Sequence, residues 1–181
     1  MAATLRVKRN PAFTLLEVSI AIVIVAILTV LMIPVISKFR ARAQRAQCSA
    51  NLKNLYIAAD LYLQENGTWP QIARSGPAAA PEEFANAWIT ALAPFGPTRK
   101  TWICPTIENL MENPDYTTAA ETRIDYIATP FDDKPATPHR WPRQPWFAER
   151  ADVHGNGNLI IFTDGSIGDL KSIFQSSSSN R

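Results

Sequence analysis

Few side chains in this 181-residue sequence have the type and spacing that chemistry requires. Cys48 and Cys104 stand 56 positions apart, with no second cysteine or nearby histidine beside either, so their spacing does not make a zinc site. In an exported chain the two are a candidate disulfide; in a cytosolic one they are ordinary small apolar residues. Of the two histidines, His139 has no acidic or cysteine partner at ligand spacing. His154 has Asp152 and Asp164 in reach of a metal, yet three scattered groups define no site, and a structural role near a hairpin reads better. Asp132, Asp133, Asp152 and Asp164 offer oxygen ligands to calcium without a regular ligand spacing. Neither a phosphate-binding glycine loop nor a Ser-His-Asp arrangement at motif spacing occurs, so no catalytic residue and no cofactor is assigned.

Glu17 stands out by its surroundings. It opens a run of twenty uncharged residues, Val18 to Ser37, mostly Ile, Val, Leu and Ala. As a helix rising about 1.5 Å per residue, that run reaches roughly 30 Å, the hydrocarbon thickness of a bilayer. A cleaved secretory signal shares the cationic start at Arg6, Lys8 and Arg9, but its apolar core is shorter. Here Lys38-Phe39-Arg40-Ala41-Arg42 follows, so the segment reads as retained. A carboxylate at the head of such a helix is costly unless paired. No basic side chain sits at helical spacing on its C-terminal side, so a partner must come from the chain's own start or from another molecule.

Charge divides along the chain. Residues 1–45 carry seven basic groups and one acid, while residues 46–181 carry eleven basic and fifteen acidic groups. The basic excess lies beside the apolar run, where lipid headgroups are the natural partner, and the mildly acidic remainder argues against nucleic acid. Three basic residues before the run and four after it leave the orientation open on charge alone.

Helical signals continue to Glu65. Cys48, Leu52, Leu55, Ala59 and Tyr62 follow a 4-3-4-3 spacing that lays one apolar stripe along a helix, and Asn66-Gly67 stops it. One helix over 13–66, with a membrane part (13–37) and an amphipathic part (38–66), would be on the order of 80 Å long. The globular part follows over 67–175. Residues 67–81 read as a loop; Pro81-Glu82-Glu83 opens a short helix with Phe84, Trp88 and Leu92 on its apolar side. Thr101–Cys104 and Arg123–Ile127 read as strands. Five prolines between Pro130 and Pro145 make that stretch an irregular loop; most of the five tryptophans read as core, and exposure is open for Trp141 and Trp146, which lie in this loop. Leu159–Thr163, Asp164-Gly165 and Ser166-Ile167 read as a hairpin, and 176–181 as a frayed tail. The class expected is α+β, a long N-terminal helix packed against a small antiparallel sheet.

Arg6-Val-Lys-Arg-Asn-Pro-Ala12 followed by Phe13-Thr14-Leu15-Leu16-Glu17-Val18 resembles the cleavage and methylation motif of type IV pilins and type II secretion pseudopilins. The resemblance implies a leader, residues 1–12, that a prepilin peptidase cuts between Ala12 and Phe13 on the cytoplasmic side, with N-methylation of Phe13. The residue before the cut is usually Gly in that family; here it is Ala12. It also implies a pilin-like fold, with Pro34 at the position of a helix-kinking proline. Glu17 would pair with the Phe13 amine of a neighbouring subunit inside an apolar bundle, where an unpaired carboxylate is not tolerated. His154, nine residues, then Asp164-Gly165 is similar to the C-terminal His-x9-Asp-Gly signature of one large group of pseudopilin-like proteins. Cys48-Ser-Ala-Asn51-Leu52, Gly67-Thr68-Trp69-Pro70 and Cys104-Pro105 match further blocks of that group. Related major pseudopilins hold calcium in a C-terminal loop, which is the ground for weighing the four aspartates.

The function so implied is a non-enzymatic filament subunit of a type II secretion pseudopilus or type IV pilus-like filament. Its partners would be prepilin peptidase, copies of itself or other pseudopilins, an inner-membrane assembly platform and the lipid bilayer. It would cross the bacterial inner membrane once, N-terminus cytoplasmic and C-terminal domain periplasmic. Two other readings compete: a membrane-tethered exported binding protein, for example for glycans, favoured by exposed tryptophans, and a signal-anchored exported enzyme, favoured by a pocket with converging acids or His154.

Overall fold

A computed structural model describes residues 14–72, 81–111, 123–155 and 157–178. The cleavage pair Ala12 and Phe13 lies outside them. The chain divides into two compact units, Met1–Arg40 and Ala41–Arg181. One helix, α1 (Leu15–Asn66), contributes to both and runs through position 34 without interruption.

In the first unit, every described side chain from Leu15 to Ile33 is exposed, although nearly all are apolar. A helix apolar on all faces and uncovered by the described residues does not hold in water; it fits a lipid or protein surround. By length and composition it is long and apolar enough to cross a membrane.

In the second unit α1 changes character. Cys48, Leu52, Leu55 and Ala59 are fully buried, as their spacing predicts, and Asn51, Ala58 and Leu63 widen the stripe. Tyr62 is half-buried. This face packs into a core with α2 (Pro81–Leu92) and a four-stranded antiparallel sheet. The strands are β1 (Tyr126–Ala128), β2 (Pro145–Glu149), β3 (Leu159–Phe162) and β4 (Ile167–Asp169), in the order β1-β2-β3-β4. All four side chains of β3 are buried, as a central strand covered on both faces requires. Tyr126 faces Glu149 across β1 and β2, and Ile161 faces Ile167 across β3 and β4.

Aromatic rings dominate the core. Trp69 lies 5.0 Å from Trp146 and 6.0 Å from Trp88, both inclined, and Phe147 meets Trp69, Trp88 and Trp102 within 6.3 Å. Such tilted and edge-on pairs add to what their buried area contributes.

The structure corrects several expectations. Thr101–Cys104 is not a strand. Arg99–Trp102 forms a 3-10 turn closed by reciprocal bonds between Thr98 and Thr101, and Pro105 at its first turn starts helix α3 (Pro105–Leu110). The strand expected from Arg123 begins at Tyr126. The proline-rich stretch ends in β2, with Pro145 as the strand's first residue, one of the few strand positions proline tolerates. Trp146 is fully buried, its ring N–H donating to Pro138 O at 2.9 Å, whereas Trp141 is 59% exposed. A fourth helix, α4 (Leu170–Ser178), carries regular structure into the run read as a frayed tail. Asp169 starts it, accepting from Ser172 N at 2.8 Å and pairing with Arg45 of α1 at 3.0 Å.

Candidate functional site

Two groups of side chains stand apart from ordinary packing. The first is at the head of α1. Thr14 N and Thr14 Oγ1 both donate to Glu17 Oε2 at 2.8 Å, and Glu17 N donates to Thr14 Oγ1 at 3.3 Å. This is a reciprocal capping box. Thr14-Leu15-Leu16-Glu17 has the Thr-x-x-Glu spacing that signals one, a reading the sequence analysis missed. These bonds come from the uncharged Thr14 and supply Glu17 with hydrogen-bond donors, not with a balancing charge. From Glu17 a shallow apolar face runs down the helix along Val18, Ala21, Ile22, Val25 and Ala26.

The second group lies inside the globular unit. Cys48 of α1 and Cys104, just before α3, are joined as a disulfide with Cα atoms 5.4 Å apart. Two polar anchors bring their backbones together. Asn51, one turn beyond Cys48, donates to Ile103 O at 2.9 Å, and Cys104 N donates to Asp125 Oδ2 at 2.8 Å. Asp125 also receives Arg123 Nη2 at 2.9 Å. Burial pushes its carboxyl above the ordinary carboxylate range, against the pull of those donors.

Glu149, the last residue of β2, points into the same place and is 2% exposed. Its Oε2 accepts from Leu159 N at 3.1 Å, and its Oε1 lies 3.1 Å from His154 Nε2 and 3.5 Å from Cys104 Sγ. Burial raises its carboxyl too, opposed by the Leu159 amide, His154 and Arg45. Sequence reasoning missed Glu149: a glutamate ending a short strand carries no mark of burial. His154, expected in a structural role near the hairpin, has this carboxylate as its partner, and neither Asp152 nor Asp164 joins them.

The remaining candidates are dispersed. Asp164 sits in the β3–β4 turn and accepts from Ser166 N at 2.8 Å; that residue's bonds lower its pKa. Gly165 holds φ +71° and comes close to α1, where Lys53 Nζ donates to its carbonyl at 2.9 Å. Tyr56 OH donates to Thr163 O at 2.9 Å beside it. The turn thus rests on α1, apart in role from His154. Asp132 accepts from Lys134 N at 3.2 Å, Asp152 accepts from Gly155 N at 3.0 Å, and Asp133 is exposed in its loop. His139 packs edge-on to Trp146 at 5.1 Å.

Comparison with known proteins agrees with the first group. Residues 7–33 match the family model of the prokaryotic N-terminal methylation motif. A 65-residue stretch is 37% identical to the type IV major pilin protein PilA of Myxococcus xanthus (strain DK1622). That stretch is 36% of this chain and covers 30% of the relative's length. No solved structure matches. The chain therefore carries a prepilin-type methylation motif, is homologous to a type IV pilin over part of its length, and joins a long apolar N-terminal helix to a small antiparallel sheet.

Proposed function

We propose that this chain is a structural subunit of a pilin-type filament, cut between Ala12 and Phe13 by a prepilin peptidase and methylated on the new amine. The observation that carries the reading is continuity at the N-terminus. The methylation motif over residues 7–33 runs into a helix whose described side chains are apolar and uncovered over several turns. A surface of that kind needs bilayer before assembly and neighbouring helices after it. Before assembly the subunit crosses the inner membrane once, N-terminus cytoplasmic and globular part periplasmic. Assembly takes copies of itself or other pseudopilins on an inner-membrane platform, in a type II secretion pseudopilus or a type IV pilus. The Cys48, Gly67, Cys104 and His154–Gly165 blocks support a place among pseudopilin-like proteins with the His-x9-Asp-Gly signature.

Glu17 has two roles in this reading. Its backbone-side bonds cap α1, and its charge receives the Phe13 amine of a neighbour. The tethered glycan-binding alternative rested on tryptophans in the proline-rich loop; with Trp146 in the core, Trp141 alone is left to support it. N-terminal sequencing and intact mass of the protein purified from its own membranes test the proposal. A chain starting at methylated Phe13 is expected, and an intact Met1 start in cells with active peptidase would overturn it.

A further inference from the structure

The buried cluster of the globular unit has a composition that a disulfide alone does not use. The sulfurs of Cys48 and Cys104, a Glu149 oxygen and a His154 ring nitrogen all lie within 4.8 Å of one another. Two thiolates, an imidazole and a carboxylate are a donor set that zinc takes in tetrahedral sites, at about 2.3 Å to sulfur and about 2.0–2.1 Å to nitrogen and oxygen. Those lengths set donor–donor edges of roughly 3.3–3.8 Å around a tetrahedron. Two edges are already near that range, His154 Nε2 to Glu149 Oε1 at 3.1 Å and Cys104 Sγ to Glu149 Oε1 at 3.5 Å, while Cys104 Sγ to His154 Nε2 is 4.0 Å. From 4.8 Å, the widest pair closes by about 1 Å to reach a tetrahedral edge.

We propose that the reduced form of this domain binds one zinc ion through Cys48, Cys104, Glu149 and His154, and that disulfide formation and zinc binding are alternative states of one site. Three further features support it. Glu149 and His154 side chains are 0% and 4% exposed, so the oxygen and nitrogen donors are held out of water. Two of the four ligands are fixed as outer partners fix metal ligands: Leu159 N holds the second Glu149 oxygen, and Asp125 holds the backbone amide of Cys104. In the disulfide, finally, the Cys104 sulfur beside Glu149 Oε1 has no proton to donate, so that contact is matched only when a thiol or a metal-bound thiolate replaces it.

The exchange balances. Zinc entering the dithiol releases two thiol protons. When the active-site disulfide of a dithiol oxidase accepts two electrons from the two thiolates and two protons from solvent, Cys48 and Cys104 form their S–S bond, the oxidase leaves as a dithiol, and zinc departs as the dication. Glu149 and His154 are left paired. Two thiolates, a carboxylate and zinc sum to −1.

The test uses the full mature chain in detergent, reduced with a phosphine under anaerobic conditions, stripped of metal, and titrated with cobalt(II) alone. The reduced wild type is expected to develop thiolate-to-cobalt charge transfer and tetrahedral visible bands that saturate at one ion per chain and vanish on adding zinc. The oxidised protein is expected to show neither. Glu149→Gln and His154→Ala should each weaken cobalt binding by about tenfold or more. Absence of the bands, binding unchanged in both variants, or equal binding by oxidised protein would overturn the proposal. Near-UV circular dichroism of the tryptophan cluster guards against unfolding. Should the reduced apo-protein lose that signal, cobalt must restore it, and failure to do so also overturns the site.

Discussion

Asn51 of α1 donates to the carbonyl of Ile103, 52 positions away, at 2.9 Å, one of the two polar bonds that hold Cys104 against Cys48. Asn51 is 5% exposed, so its loss leaves a carbonyl unpaired in a setting with little water. Asn51→Leu is expected to cost about 1–3 kcal/mol, read as a lower denaturation midpoint of the globular unit. An unchanged midpoint would mean that the disulfide alone holds the segment.

The disulfide gives a second prediction. Non-reducing peptide mapping of exported protein should recover Cys48 and Cys104 in one cross-linked pair. Across a separation of 56 residues the closed loop contributes roughly 4 kcal/mol in the chain-entropy model, so Cys48→Ser with Cys104→Ser should lower stability by about that amount in oxidising buffer. Two free thiols in exported protein would contradict it.

Gly165 is constrained twice. Its φ of +71° disfavours any side chain, and a Cβ there would come 2.9 Å from Lys53 Nζ and 3.3 Å from the Tyr56 ring. Lys53 is flexible and can retreat, so the backbone conformation is the larger cost. Gly165→Ala is expected to destabilise by about 1–2 kcal/mol and to loosen the β3–β4 turn, seen as faster amide exchange at Ser166. Wild-type stability in that variant would remove the constraint.

Much of this architecture was legible because period and punctuation agree. The stripe Cys48, Leu52, Leu55 and Ala59 buries as its spacing says, α2 begins at Pro81 and buries Trp88 and Leu92, and the Asp164-Gly165 turn joins two strands. Failures came where a local pattern had two solutions. Trp102-Ile103 reads as strand, but the Thr98–Thr101 bonds and Pro105 favour turn and helix. Trp146 looked exposed beside prolines, yet the same prolines end where β2 begins, and its indole finds the Pro138 carbonyl. Glu149 was invisible because its meaning depends on His154, which the β2–β3 connection returns to it, and on Cys104, held in place by its bond to Asp125. The Thr14–Glu17 capping box was in plain view and was passed over for the charge of Glu17.

Processing should change the protein's charge measurably. Loss of the leader removes Arg6, Lys8 and Arg9, taking the side-chain net from +2 to −1. Isoelectric focusing of protein from cells with and without active prepilin peptidase should show an acidic shift in the former, and identical focusing would contradict cleavage ahead of Phe13.

The central claim, that Glu17 serves assembly and not only its own helix, is tested most directly by in vivo cross-linking of Glu17→Gln. Glutamine at this position keeps the capping bond to Thr14 N, since either Glu or Gln completes a capping box, and it removes the charge. If α1 merely anchors a domain, the variant should insert and behave as wild type, relieved of a carboxylate that lipid disfavours. If neighbours dock by pairing that carboxylate with a Phe13 amine, Glu17→Gln should insert and fold normally while subunit–subunit cross-links fall by about tenfold or more. Membrane fractionation with cross-linking of both proteins gives the result. A loss of cross-links at unchanged membrane level is predicted, and equal cross-linking would contradict the account.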